Sequence, residues 1–109
     1  MATTYKVLGQ SKPTAATTTT LYTVPASTSA VISSLVITNI TNDVTNLRIA
    51  IQPAGEALAD KHYIAYDQQI GAYGSRTYTI GMTLATTDVV SIRDSAGKCS
   101  FNLFGSEIS

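Results

Sequence analysis

The chain has no tryptophan, one cysteine, one histidine and three prolines in 109 residues, and only 13% of its residues are charged. Each shortage removes a class of protein. A single thiol, Cys99, excludes an intramolecular disulfide framework. A single imidazole, His62, argues against the histidine-paired zinc sites of hydrolases. Seven Lys and Arg balance seven Asp and Glu, so the clustered positive charge that nucleic acid requires is missing, and so is a polybasic membrane surface. No direct nucleic-acid partner and no membrane partner are expected. No apolar run approaches the ~20 residues of a helical membrane span. The opening "MATTYKVLGQ" lacks a charged segment followed by an apolar one, so no secretory leader is expected. With the lone thiol, this predicts assembly in a reducing cytosol. Long helical periodicity is absent as well.

What is abundant is small and hydroxylated. Seventeen Thr and eleven Ser make up over a quarter of the chain. Together with Val, Ile and Tyr they suit a pleated, half-buried surface. A length of 109 residues allows one domain with one core. Eight strands are expected: Thr4–Gln10, Thr17–Val24, Ser29–Thr41, Thr45–Gln52, His62–Ile70, Ser75–Leu84, Val89–Asp94 and Cys99–Glu107. Pro13, Pro25-Ala26-Ser27, Thr41-Asn42-Asp43, Gly71–Gly74 and "SAGK" (Ser95–Lys98) separate them. This spacing predicts an all-β, single-domain, two-sheet antiparallel β-sandwich of jelly-roll type. Residues 1–16 read as an N-terminal arm holding one strand pattern, "YKVLGQ".

Alternation assigns faces. In "TNLRIAIQP", Leu47, Ile49 and Ile51 share one face, and Arg48, Ala50 and Gln52 the other. In the last strand Cys99, Phe101 and Leu103 alternate with Ser100 and Asn102, until Phe104 breaks the pattern. In "SAVISSLVITNI" both faces carry apolar residues: Val31, Leu35 and Ile37 on one, Ile32, Val36 and Ile40 on the other. That predicts a strand buried on both sides, centrally or at a subunit contact. Only "AGEALADK", Ala54–Lys61, has helix formers in a row, and it predicts about two helical turns.

The candidate chemistry concentrates in "PAGEALADKHYIAYDQQI", Pro53–Ile70. It holds His62 with Glu56, Asp60 and Asp67. A catalytic reading of Asp60, His62 and Asp67 stands against polar residues of a loop and a strand edge. No G-x-S-x-G marks a nucleophile for the histidine, no second histidine completes a zinc site, and no tryptophan offers a sugar platform beside paired acids. The bland reading is preferred: no enzyme, no cofactor and no metal are expected. Cys99 falls in register with Phe101 and Leu103 and reads as a small buried hydrophobe rather than a nucleophile. Asn39-Ile40-Thr41 matches a glycosylation sequon, read here as chance. The Thr runs lack the fixed repeat of an ice-binding array, and Gly71, Gly74 and Gly81 are not spaced as a phosphate loop.

Tyr63, Tyr66, Tyr73 and Tyr78 crowd into sixteen residues. Tyrosine is enriched at interfaces because it presents an apolar ring with a wet end. Three positions apart, Tyr63 and Tyr66 are expected on opposite faces of a strand, one in the core and one toward a partner. Exposed aromatics beside Asn, Asp or Gln would also suit a carbohydrate, and Tyr63–Tyr73 is the segment that offers them.

Four stretches, "LYTVPASTSAVISSLVITN", "RIAIQPAGEALADKHYIAYDQQI", "LATTDVV" and "FNLFGSEIS", closely resemble a family of small virion proteins of tailed phages of aquatic bacteria, cyanophages among them. The resemblance covers about Leu21 to Ser109. It is a whole-sequence pattern without a catalytic motif. It implies an all-β accessory structural protein located in the virion and assembled in the host cytoplasm. Its partners would be the major capsid protein or other virion proteins, and further copies of itself as a homo-oligomer. A capsid cement or decoration protein is the first expectation. A tail, neck or fibre subunit, contacting host glycans in one version, is the alternative. The contacts are expected at Tyr5 and Val7, through strand pairing of Tyr5–Gln10 with a neighbouring subunit, and at Tyr63, Tyr66, Tyr73 and Arg76.

Overall fold

A computed structural model describes residues 3–79 and 81–109. Met1 and Ala2 of the expected arm, and Ile80 within the expected sixth strand, lie outside the described residues. Among the described residues the fold is a sandwich of two antiparallel sheets built from nine strands. They are β1 (Thr3–Ser11), β2 (Thr19–Thr23), β3 (Ser29–Asn39), β4 (Thr45–Gln52), β5 (Tyr63–Ile70), β6 (Ser75–Tyr78), β7 (Met82–Leu84), β8 (Val89–Asp94) and β9 (Cys99–Ile108). Sheet A runs β1-β9-β3-β6, with β7 also paired to β3; sheet B runs β2-β8-β4-β5. The ninth strand arises because the expected Ser75–Leu84 strand is two pieces, β6 and β7, each pairing a different part of β3.

The core lies between the sheets and follows the alternation. Leu47 and Ile49 on β4, Val90 and Ile92 on β8, and Cys99, Phe101 and Leu103 on β9 are all buried. Each large side chain hidden this way contributes roughly 1.5–3 kcal/mol relative to leaving it in water. The β3 strand departs from the simple pattern at a bulge. Its pairing to β9 slips between Ile32 and Ser34, and the Ser33 hydroxyl donates to the Phe104 carbonyl at 3.1 Å. One extra residue reverses the parity. Ala30 and Ile32 face the core before it; Leu35, Ile37 and Asn39 face the core after it, while Val31 and Val36 stay half-exposed outside. The strand therefore sends one face into the core, and the bulge corrects which residues share it: Val31 lies with Val36, not with Leu35 and Ile37.

One further expectation is corrected. Ala54–Lys61 is not helical. It forms two single 3-10 turns, Pro53–Gly55 and Asp60–His62, on either side of an extended stretch. Ala54 and Gly55 adopt positive φ of 54° and 70°, which a helix cannot contain. The arm is a strand of its own chain as well. β1 pairs with β9 from Thr3↔Ile108 to Ser11↔Phe101, so one of its edges is already occupied.

Buried polar side chains tie the loops down. Asn39 donates from Nδ2 to the carbonyls of Asp43 (2.6 Å) and Gly71 (3.1 Å) and accepts the Thr41 amide (3.0 Å) on Oδ1. It has no exposed surface, so the sequon it begins cannot carry a glycan in the folded chain. Asp94 does the same for the β8–β9 turn, accepting the amides of Ala96 (3.2 Å), Lys98 (2.6 Å) and Cys99 (2.6 Å) and the Thr45 hydroxyl. Its burial pushes the carboxyl up, but the Thr45 hydroxyl and the Cys99, Ala96 and Lys98 amides outweigh this and hold it below its ordinary value.

Candidate interaction surfaces

Of the acids of Pro53–Ile70, Glu56 meets the imidazole, and Asp60 and Asp67 form no hydrogen bond to it among the described residues. The His62 ring is buried, and its Nδ1 accepts the Ala59 amide at 3.0 Å. A nitrogen that accepts carries no proton, so the proton sits on Nε2, which donates to Glu56 Oε1 at 3.1 Å. Asp67 is elsewhere, held by Arg48 through Nε–Oδ1 at 2.6 Å and Nη2–Oδ2 at 3.1 Å. The Arg48 hydrogen bond and charge hold the Asp67 carboxyl below its ordinary value. His62 thus anchors the loop that leads into β5. No group of three or more His, Cys, Asp or Glu side chains gathers among the described residues. Cys99 is fully buried, and burial together with the Asp94 carboxylate pushes its thiol up to about 12; a thiol so protonated is no nucleophile.

The structure instead offers two surfaces. The first is the outer face of sheet A. Register and parity put Tyr5, Val7 and Gln10 of β1 on it, with Ser100, Asn102, Phe104 and Ser106 of β9, Val31, Ser34, Val36 and Thr38 of β3, Ser75 and Thr77 of β6, and Thr83 of β7. No Asp, Glu, Lys or Arg stands at any of these positions. Lys6 and Glu107, one residue out of phase, pair at 2.9 Å on the inward side, where the Tyr22 hydroxyl also donates to Glu107 at 2.5 Å. Arg76 points inward too, opposite the buried Ile37. A shallow groove of about 620 Å³ crosses the face between Tyr5, Val7, Val31 and Phe104, with Lys6 at its edge. Tyr5 is 83% exposed. Phe104 and Val31 were not singled out from the sequence, although the break in alternation at Phe104 was the signal: it is the outward aromatic of β9.

The second surface is the mouth of the sandwich between β5 and β6. Pairing of β4 with β5 slips on both sides of Ile49, between Leu47↔Gln68, Ile49↔Ala65 and Ala50↔Tyr63. Asp67 takes φ +51° at one slip, in a strand at the sheet edge where bulges are common. These slips cancel the expected opposition of Tyr63 and Tyr66. Their rings meet edge to face with centroids 4.8 Å apart, and the Arg48 guanidinium lies 4.0 Å over Tyr66. Arg76 reaches across from β6 and donates to the Gln69 carbonyl at 2.8 Å. A cleft of about 460 Å³ lies among Tyr63, Tyr66, Gln68, Arg76 and Tyr78. Arg76 forms no ion pair among the described residues. The Tyr78 hydroxyl is buried there without a hydrogen-bond partner among the described residues.

The sequence-named residues therefore separate into two groups. Tyr5 and Val7 belong to the sheet A face; Tyr63, Tyr66 and Arg76 belong to the cleft. Tyr73 joins neither. It sits in the Gly71–Gly74 turn, 71% exposed, with its amide donated to the Thr41 carbonyl at 2.9 Å. No protein-family model matches the chain, and no curated protein is significantly similar to it.

Proposed function

We propose that this protein is a virion structural protein of a tailed phage, of the capsid cement or decoration kind, which stabilises the head by bridging neighbouring subunits. The observation that supports this reading is the uncharged outer face of sheet A. Charged residues make up about a quarter of an ordinary soluble domain. Here the outward positions of one sheet carry none, Lys6 standing at the groove's edge, and they bring groove, aromatic and hydroxyl groups together. Such a face can meet another protein without burying an unpaired charge, the costliest error at an interface. By strand spacing and rise the face measures about 600 Å². A contact covering it would bury about 1,200 Å² over both partners, at the lower end of specific interfaces. Many equivalent copies on a lattice turn such contacts into strong attachment.

The partners under this reading are the major capsid protein or other virion proteins, and further copies of the chain. Copy number tests it. Quantitative mass spectrometry of purified particles should find the protein in numbers comparable to the major capsid protein. A handful of copies per particle would move it to a tail, neck or fibre.

The cleft supports a second reading, contact with host glycans by a tail or fibre subunit. Tyr63, Tyr66, Gln68, an Arg76 with no ion pair and a Tyr78 hydroxyl with no partner among the described residues match the mix of aromatic and hydrogen-bonding groups that ligand sites use. Titration of the purified chain against a panel of bacterial surface saccharides separates the readings. Specific binding abolished by Tyr63→Ala favours the second.

A further inference from the structure

We propose that two copies of this chain pair β1 with β1, antiparallel, about a two-fold axis through Tyr5, so that sheet A continues from one subunit into the next. The proposal rests on the reading that sheet A is the assembly surface, and it names the partner and register there.

A sandwich of two sheets has four open edges, and a long exposed edge invites pairing unless something blunts it. Three are blunted here. β2 has five residues and slips at Leu21. β6 and β7 are pieces of four and three residues. β5 is broken by slips on both sides of Ile49's partner and is crossed by Arg76. β1 is nine residues long with a single slip at Leu8. Its first five residues, Thr3 to Val7, are all exposed. Beyond the slip it runs against β2: a Cβ built at Gly9 would lie 2.4 Å from the Leu21 carbonyl oxygen. The free edge is therefore Thr3–Val7, and its centre is Tyr5.

Parity and charge select the register. Residues opposed across an antiparallel pair lie on the same face. Outward Thr3, Tyr5 and Val7 must therefore meet outward residues. Three symmetric registers pair at least three of the five free residues with one another. One sets Lys6 against Lys6, and like charges directly opposed are unfavourable. One sets Thr4 against Thr4 and pairs only Thr3, Thr4 and Tyr5 of the free edge with one another. The third sets Tyr5 against Tyr5, Thr4 against Lys6 and Thr3 against Val7. It uses all five free residues, leaves Lys6 with Glu107, and stacks two exposed aromatics across the axis. It also brings the two Tyr5–Phe104 grooves side by side. Five residue pairs make a weak contact in isolation. A closed two-fold pair repeated on a lattice makes it strong.

Disulfide trapping reads the register directly. Tyr5→Cys and Lys6→Cys are each introduced into the full chain and exposed to mild oxidation; buried Cys99 serves as an internal thiol that does not compete. The Tyr5→Cys chain should form a covalent dimer at least about tenfold faster than Lys6→Cys, whose partner thiols would lie beyond the ~7 Å between Cα atoms that a disulfide spans. Circular dichroism of each variant checks that the sandwich is intact. Faster trapping through Lys6→Cys overturns the register. No trapping through either, with a monomer in sedimentation at the highest attainable concentration, overturns the self-pairing. The copy number in particles is measured separately, so the assembly reading can survive that failure or fall without it.

Discussion

The Asp94 carboxylate accepts the backbone N–H of Cys99 at 2.6 Å, across a turn whose Gly97 takes φ +67°. The same carboxylate holds Lys98 and Ala96 amides and the Thr45 hydroxyl, with no exposed surface of its own. Four donors thus converge on one side chain that joins β4, β8 and β9. Asp94→Asn replaces one accepting oxygen with an NH₂ group facing donors. Leaving such buried groups unmatched costs about 1–3 kcal/mol each where it cannot be relieved. Asp94→Asn should lower stability by about 3 kcal/mol, and Thr45→Val by about 1 kcal/mol, in urea unfolding. Equal stability of Asp94→Asn and the parent would show that the network does not hold the turn.

The same carboxylate gives stability a direction with pH. Asp94 and Glu107 are both held below their ordinary values, Glu107 by the Tyr22 hydroxyl and Lys6. A depressed folded value means the unfolded chain binds the proton more readily. The stabilisation is then fully present above the ordinary carboxyl value near ~4 and is lost as the pH falls through the depressed folded values. Urea midpoints should be flat from pH 7 to about 5 and fall below about 4. Asp94→Asn should flatten part of that acid limb. An acid limb of unchanged steepness would assign the loss to other groups.

The sequence made the strands legible where side chains alternate strictly. Thr45–Gln52 and Val89–Asp94 form with the expected ends, because each buries one face on the core and pairs on both sides. It misled where an extra residue changes parity. The Ser33 bulge, and the slips around Ile49's partner on β5, re-aim Val36, Tyr63 and Tyr66, and nothing in a local residue pattern marks such slips. The Ala54–Lys61 stretch has helical propensity, but His62 and Asp88 take its amides: Ala59 donates to His62 Nδ1, and Ala54 to Asp88 Oδ1. Tertiary bonds override propensity there. The cleft was half visible. Tyr63, Tyr66 and Arg76 were named as contacts and Tyr78 as one of the crowded tyrosines, but Tyr78 and Gln68 meet the others only because β5 and β6 end sheets that face each other.

Gly105 tests how tightly sheet A is built at its centre. A Cβ there would lie 2.2 Å from the Val31 carbonyl oxygen and 3.0 Å from a Leu8 methyl. Both neighbours are strand residues beside bulges, so the backbone must move to admit it. Gly105→Ala should destabilise the fold by about 1–3 kcal/mol despite the small change in volume. Gly71→Ala is the control, since nothing lies within 4 Å of a Cβ at that position. Thermal unfolding of both variants decides it. Equal melting temperatures would mean that the β3–β9 crossing is looser than these distances imply.

Tyr78 separates a structural role for the cleft from a binding role. Its ring packs against the core, while its hydroxyl is buried with no partner among the described residues. An unpartnered buried hydroxyl costs free energy, so removing it should not harm the fold. Tyr78→Phe should leave stability unchanged or raise it by up to about 1 kcal/mol in urea unfolding. If a saccharide occupies the cleft, that hydroxyl is where it would bond, and the same variant should bind roughly tenfold more weakly. A clear loss of stability in Tyr78→Phe would mean that the hydroxyl already bonds to an ordered water or to a chain atom. The cleft would then hold the sandwich mouth together rather than receive a ligand.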